Sequence, residues 1–220
     1  MRATRLTRDG GVWRVETEAG ALKARAVVLG TNADTDALWP GLSDIFTRIH
    51  YFQFATSPLG ADAAGILPGR QGVWDTGRIM FNVRRDAFDR LLIGSMGKVV
   101  GTKDSGLSQR FARKQVARIF PQLGPVEFEE AWHGQIAMTP DHLPKIFELA
   151  EGVYTPIGYN GRGITTGTLF GKAMAELLTG AARDSLPLPI STNPTPAPRA
   201  RLMARVYDAA FTANQAWKAI

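Results

Sequence analysis

Residues 158–180 read GYNGRGITTGTLFGKAMAELLTG. The front of this stretch is glycine-rich and the back is helical in pattern. Gly163, Gly167 and Gly171 fall four apart and Ala175 continues the series, so a helix starting near 163 carries them on one nearly flat face. Leu169, Ala173 and Leu177 line one flank of that face, and Phe170, Met174 and Leu178 line the adjoining one. Gly180 follows the last apolar residue, where a helix stops most easily. A glycine inside a helix costs about 1 kcal/mol relative to alanine, so something must offset it at 167 and 171. Close packing on another backbone is one answer. A ligand at the helix start is the other, because the first-turn amides near 163–166 point outward and carry partial positive charge.

Working outward, residues 153–157 form a strand that feeds this turn, and 145–149 pair with it across Glu151-Gly152. TPDHLP at 139–144 is a rigid turn in which Asp141 braces the backbone. Upstream, 11–17 and 21–29 read as a hairpin whose second arm becomes a buried strand stopping at Gly30. Strands are expected at 49–56, 72–75, 79–83, 90–96 and within 125–138, and an amphipathic helix at 106–120 with Phe111 and Val116 inward. Residues 181–199 hold five prolines and read as an extended wrap, and 200–218 as a last helix.

The 220 residues suffice for a sizeable core. No cysteine is present, which excludes disulfides, thiolate metal sites and a thioether link to a cofactor. His50, His133 and His142 lack a metal-ligand spacing, so no metal is expected. The formal charge of +6 attracts anions, but no nucleic-acid recognition module accompanies it. No apolar run reaches membrane-spanning length and the amino terminus lacks a leader pattern, so the expectation is a cytoplasmic protein without membrane or nucleic-acid partners.

The run VYTPIGYNGRGITTGTLFGKAMAELLTG closely resembles the closing motif of FAD-dependent amine and amino-acid oxidases of the D-amino-acid oxidase superfamily. Three further segments agree in order and spacing: ARAVVLGTNADTDALWPGL (24–42), HYFQFATSPL (50–59) and FEEAWHGQIAMTPDHLPKI (128–146). Within the superfamily the nearest look is to the gamma-glutamylputrescine oxidoreductase branch. The resemblance implies an α/β plus α+β architecture, with an incomplete Rossmann-like FAD-binding domain and a mixed-sheet substrate domain. It implies a partial FAD-binding domain over 1–45, a substrate domain over 46–130, a return to the FAD domain over 131–190, and a wrap with a terminal helix over 191–220. Family members also carry a GxGxxG turn for the FAD pyrophosphate, which has no counterpart here; a missing amino-terminal half is expected.

By position, the resemblance places Gly30 and Thr31 at the cofactor's pyrophosphate. It places Gly158, Tyr159, Asn160, Gly161, Arg162, Gly163, Ile164 and Thr165 at the flavin ring, where backbone amides face the edge that gains charge on reduction. Trp132 would wall the substrate pocket and His133 would donate a hydrogen bond there. The implied reaction oxidises the C–N bond of an amine or amino acid, gamma-glutamylputrescine-like, to an imine, with dioxygen or another acceptor reoxidising the flavin. The alternative is a non-catalytic remnant or interaction module without stable FAD binding.

Overall fold

A computed structural model describes residues 2–35 and 38–220; Asp36 and Ala37, inside the 24–42 segment, lie outside the described residues, as does Met1. In chain order the strands are β1 (Ala3–Asp9), β2 (Val12–Thr17), β3 (Gly20–Ala24), β4 (Val27–Val28), β5 (Thr47–Thr56), β6 (Val73–Trp74), β7 (Phe81–Arg85), β8 (Leu91–Met96), β9 (Phe128–Met138), β10 (Lys145–Ala150), β11 (Val153–Ile157) and β12 (Ile190–Ser191). The α-helices are α1 (Leu107–Ile119), α2 (Gly163–Leu178) and α3 (Ala200–Ala219). This is the mixed α/β architecture expected. The chain divides into two compact units, residues 1–48 with 136–203, and residues 49–135 with 204–220.

The first unit holds an antiparallel meander β1-β2-β3 and a four-stranded sheet in the order β12-β10-β11-β4. Strand β11 runs antiparallel to β10 and parallel to β4. All five of its residues are buried, as a strand covered on both faces must be. Alternation sends Val153 and Ile157 into a core with Leu29, Leu42, Phe46 and Phe147. It sends Tyr154 to the other face, where Ile146 joins Phe170, Ala173 and Met174 of α2. The meander's Trp13 drops its indole into the first core, and its Nε1–H donates to the Glu151 carbonyl (3.0 Å).

The second unit is a five-stranded sheet in the order β6-β7-β8-β5-β9 with α1 on one face. Phe52, Phe54, Phe81 and Ile93 from the strands meet Phe111 and Val116 of α1, the inward residues the helical periodicity predicts. Four edge-to-face aromatic contacts link Phe52, Phe54, Phe81, Phe111 and Phe128. Gln215 of α3 is fully buried; its Oε1 accepts from the Ser108 hydroxyl (2.7 Å). No helix among the described residues is long and apolar enough to cross a membrane.

Asp208 of α3 sits between His50 (3.0 Å) and Lys98 (2.9 Å). Burial pushes its carboxyl up, but hydrogen bonds from Lys98 and His50, with their charges, outweigh burial and hold it below the ordinary carboxylate value. The folded value is the lower one. Its contribution is therefore complete above the unfolded carboxylate pKa of about 4 and is lost as pH falls through the folded value. Asp208→Asn is expected to cost about 1 kcal/mol at neutral pH and to shrink that difference below pH 4. Urea unfolding of both proteins between pH 3 and 7 checks this; a pH-independent difference counts against it.

Candidate functional site

Strands β4 and β11 are parallel neighbours, so their carboxyl ends open on the same edge of the sheet, the edge at which α/β folds hold ligands. The pair is bonded tightly at that end. Leu29 N–H donates to Tyr154 O (2.8 Å), and the buried Thr155 hydroxyl donates to Leu29 O (2.9 Å). Beyond Leu29 the chain emerges at Gly30 and Thr31, both exposed. Beyond Ile157 it enters the turn 158–162 and then α2. Asn32 joins the two loops: its Oδ1 accepts the Gly158 N–H (3.0 Å). Gly30, Thr31 and the turn are thus brought to one place.

The turn's shape comes from three successive demands. Gly158 has φ +78, and a Cβ there would fall 2.4 Å from Cγ2 of the buried Thr139. Only glycine meets both conditions without displacement. Asn160 has φ +52, a left-handed conformation that asparagine tolerates better than most residues. Its side chain is turned into the protein. Oδ1 accepts from Thr139 N–H (2.9 Å), and Nδ2 donates to the Thr139 hydroxyl (3.1 Å) and to the Gly158 carbonyl. Its N–H donates to Ala137 O (3.3 Å), so Asn160 positions the turn and only its carbonyl remains for a ligand. Tyr159 stacks on Phe170 of α2 (centroids 5.9 Å, planes 19° apart), and burial pushes its phenol up.

Helix α2 starts immediately afterwards with no side-chain cap and no acidic residue in its first turn. Thr166 N–H is the first to find a helical acceptor, Arg162 O (3.1 Å). The amides of Gly163, Ile164 and Thr165 meet no acceptor among the described residues. The Arg162 guanidinium is exposed beside them, which adds positive charge at a helix end already positive.

The small-residue face is not packed on this unit. Nothing lies within 4 Å of a Cβ placed at Gly171, and only the Tyr159 ring, at 3.8 Å, approaches those at Gly163 and Gly167. The helix buries Phe170, Ala173 and Met174 instead. Ile164 at the donor end is 86% exposed. The arrangement is a strip of bare backbone and aliphatic surface with three free donors at one end. It fits a flat, largely apolar group whose edge carries acceptors.

Trp132 and His133 fall in the other unit. Trp132 is 44% exposed. His133 Nδ1 accepts weakly from Val99 N–H (3.4 Å), and its ring meets that of His50 edge-on at 5.7 Å. The sequence reading missed two residues that shape the site, Asn32 and Thr139. The signals were an asparagine directly after a strand end and a threonine at the start of the rigid turn.

The chain is similar to the family described as DAO, FAD dependent oxidoreductase, over residues 1–177. It is 29% identical over 183 residues to a probable oxidoreductase OrdL of Rhizobium meliloti, covering 83% of this chain and 42% of that protein. It is 31% identical over 170 residues to the gamma-glutamylputrescine oxidoreductase of Escherichia coli, covering 76% and 40% respectively. The chain thus spans about two-fifths of the length of the curated relatives it matches. Among solved structures, its fold is shared with L-proline dehydrogenase from P. horikoshii (TM-score 0.64, 20% identity, 84% of this chain and 51% of that one). It is likewise shared with iminodiacetate oxidase from Chelativorans sp. BNC1 (TM-score 0.66, 14% identity, 87% and 53%). With the family match running through most of its length, the chain belongs to the DAO family of FAD dependent oxidoreductases.

Proposed function

We propose that this chain contributes the flavin-ring site of an FAD-dependent oxidoreductase that oxidises the C–N bond of an amine or amino acid, a gamma-glutamylputrescine-like substrate, with dioxygen as the electron acceptor. The observation that carries the reading is the uncovered glycine face of α2, bordered by the acceptor-free amides of Gly163, Ile164 and Thr165. FAD, when bound, supplies the hydride-accepting chemistry. The residues here would hold and bias it. The three amides and the helix dipole favour the charge that an electron-accepting ring gains at its edge. Ile164 and the bare backbone at 167 and 171 would exclude water from its face. Gly30 and Thr31 would let backbone approach the pyrophosphate. The FAD-dependent family, and the amine named for the Escherichia coli relative, support the cofactor and the substrate class.

The test separates a structural glycine from a functional one. A Cβ at position 171 meets no neighbour within 4 Å, and Gly171→Leu removes a helix-interior glycine. It is expected to raise stability by about 0.5–1 kcal/mol. In the same protein, saturable quenching of FAD fluorescence is expected to weaken at least tenfold. Affinity equal to the parent's places the ring elsewhere. Absence of saturable quenching by the parent favours a non-catalytic interaction module.

A further inference from the structure

We infer that the second unit reads a neutral amide group on its substrate, using Gln53 and Asn82 across Gly94 on the sheet face turned away from α1. The inference deepens the proposed amine oxidation and takes its amine from that reading; the residues that carry it belong to the second unit alone.

Residues directly opposite each other in a sheet share a face. Trp74 pairs with Asn82, Asn82 with Gly94, and Gly94 with Gln53, so one rung crosses four strands. Phe52, Phe54, Phe81 and Ile93 point to α1, and alternation sends this rung to the opposite face. A Cβ at Gly94 would lie 2.4 Å from Gln53 Nε2 and 2.8 Å from Asn82 Oδ1. The two carboxamides therefore lean over the bare glycine from either side, one offering a donor and the other an acceptor.

Neither carboxamide makes a hydrogen bond within the described residues, and Gln53 Oε1 is fully buried without a partner. Tyr51, two residues along the same face of β5, repeats the pattern: its hydroxyl is buried and unpartnered. Burial pushes that phenol up, with the Asp75 charge adding to it, so it stays protonated and able to donate. A buried polar group left unpaired costs about 1–3 kcal/mol. Two on one face of one strand mark a face whose polar groups the described residues leave unmet, and the half-buried Gln53 amide and Asn82 carbonyl oxygen beside them are the groups a ligand can reach.

The chemistry of the rung selects among ligands. The rung itself holds no ionised side chain; Arg84, two residues beyond Asn82 on the same face of β7 and exposed, is where a carboxylate would go, which leaves the two carboxamides to a neutral group. A secondary amide presents one carbonyl acceptor and one N–H donor, which match the Gln53 donor and the Asn82 acceptor. Trp74, 67% exposed at the end of the rung, supplies an apolar wall for a methylene chain.

The experiment compares N-acetylputrescine with putrescine, the same diamine without the amide, by isothermal titration of the full chain, with the FAD titration run in parallel. N-acetylputrescine is expected to bind about tenfold or more tightly than putrescine. Gln53→Leu is expected to abolish the preference. So is Gly94→Ala, whose Cβ displaces only the ends of two flexible side chains and leaves the thermal midpoint near the parent's. Gly171→Leu is expected to leave the preference intact. Equal binding of the two amines, no binding of either, or a preference that survives Gln53→Leu and Gly94→Ala overturns the inference. An amide preference without FAD binding upholds it while removing the flavin reading.

Discussion

Replacing Gly158 by alanine is expected to destabilise the chain by about 3 kcal/mol. Two causes add. The left-handed φ of +78 strains any residue with a Cβ, at about 1 kcal/mol. The methyl itself would sit 2.4 Å from Thr139 Cγ2, and Thr139 is 2% exposed, held by its own hydrogen bonds to Leu143 O and Asn160. Neither partner has room to retreat, so the overlap costs a further ~1–3 kcal/mol. The companion change Thr139→Ser separates the causes. It removes Cγ2 and keeps the hydroxyl that donates to Leu143 O (2.9 Å). Placed on Gly158→Ala, it is expected to restore about 1–2 kcal/mol, leaving the φ strain. Urea unfolding of the four proteins of this cycle gives the coupling directly. Additive effects mean that the contact with Thr139 is not what excludes a side chain at 158. The same substitution is expected to weaken FAD quenching, because the turn that Gly158 begins delivers the amides of 163–165.

The elements that form this site were legible because their patterns are local. The glycine spacing at 163, 167 and 171, the apolar run 153–157 and the stop at Gly30 each announce themselves within a few residues, and the structure puts them together. Helix α1 was equally plain from Phe111 and Val116. Strand β1 was not. Its residues ATRLTRD carry one large apolar side chain, so no period of two appears; β2 recruits it through backbone pairing, and Arg8 ties it to Glu151. The roles of Asn32 and Thr139 were hidden for a different reason. Each acts on a residue more than 15 positions away, and single-chain spacing carries no trace of such a bond. Asn160 shows the limit from the other side. The sequence reading places it at the ligand through the backbone of the motif and says nothing of the side chain, which the structure directs inward to Thr139 and the Gly158 carbonyl. Tyr51 and Gln53 lie in a strand that the sequence announces, but only the sheet shows that the Tyr51 hydroxyl and Gln53 Oε1 have no partner among the described residues.

Asn160→Ala is expected to cost about 3 kcal/mol, for reasons distinct from those at Gly158. It leaves the Thr139 N–H and the Thr139 hydroxyl without their Asn160 partners, on a residue 2% exposed. An abandoned buried donor costs about 1–3 kcal/mol, more than the bond contributes when made. Alanine at φ +52 adds about 1 kcal/mol of backbone strain that asparagine escapes. Asn160→Gly removes the side-chain bonds and tolerates the backbone, so it is expected to lie about 1 kcal/mol above Asn160→Ala in stability. That ordering identifies the backbone part; equal midpoints assign the whole loss to the side chain. The two variants also divide the site's two jobs. If Asn160 only positions the turn, glycine, being free at φ, loosens it and FAD quenching falls in step with stability. Quenching retained in a destabilised Asn160→Gly means that the amides of α2 are held by the helix itself, with the stack of Tyr159 on Phe170 as their remaining anchor. Hydrogen exchange at Gly163, Ile164 and Thr165 reports the same distinction without any cofactor, since a turn detached from Thr139 frays the first turn of the helix and a self-supporting one does not.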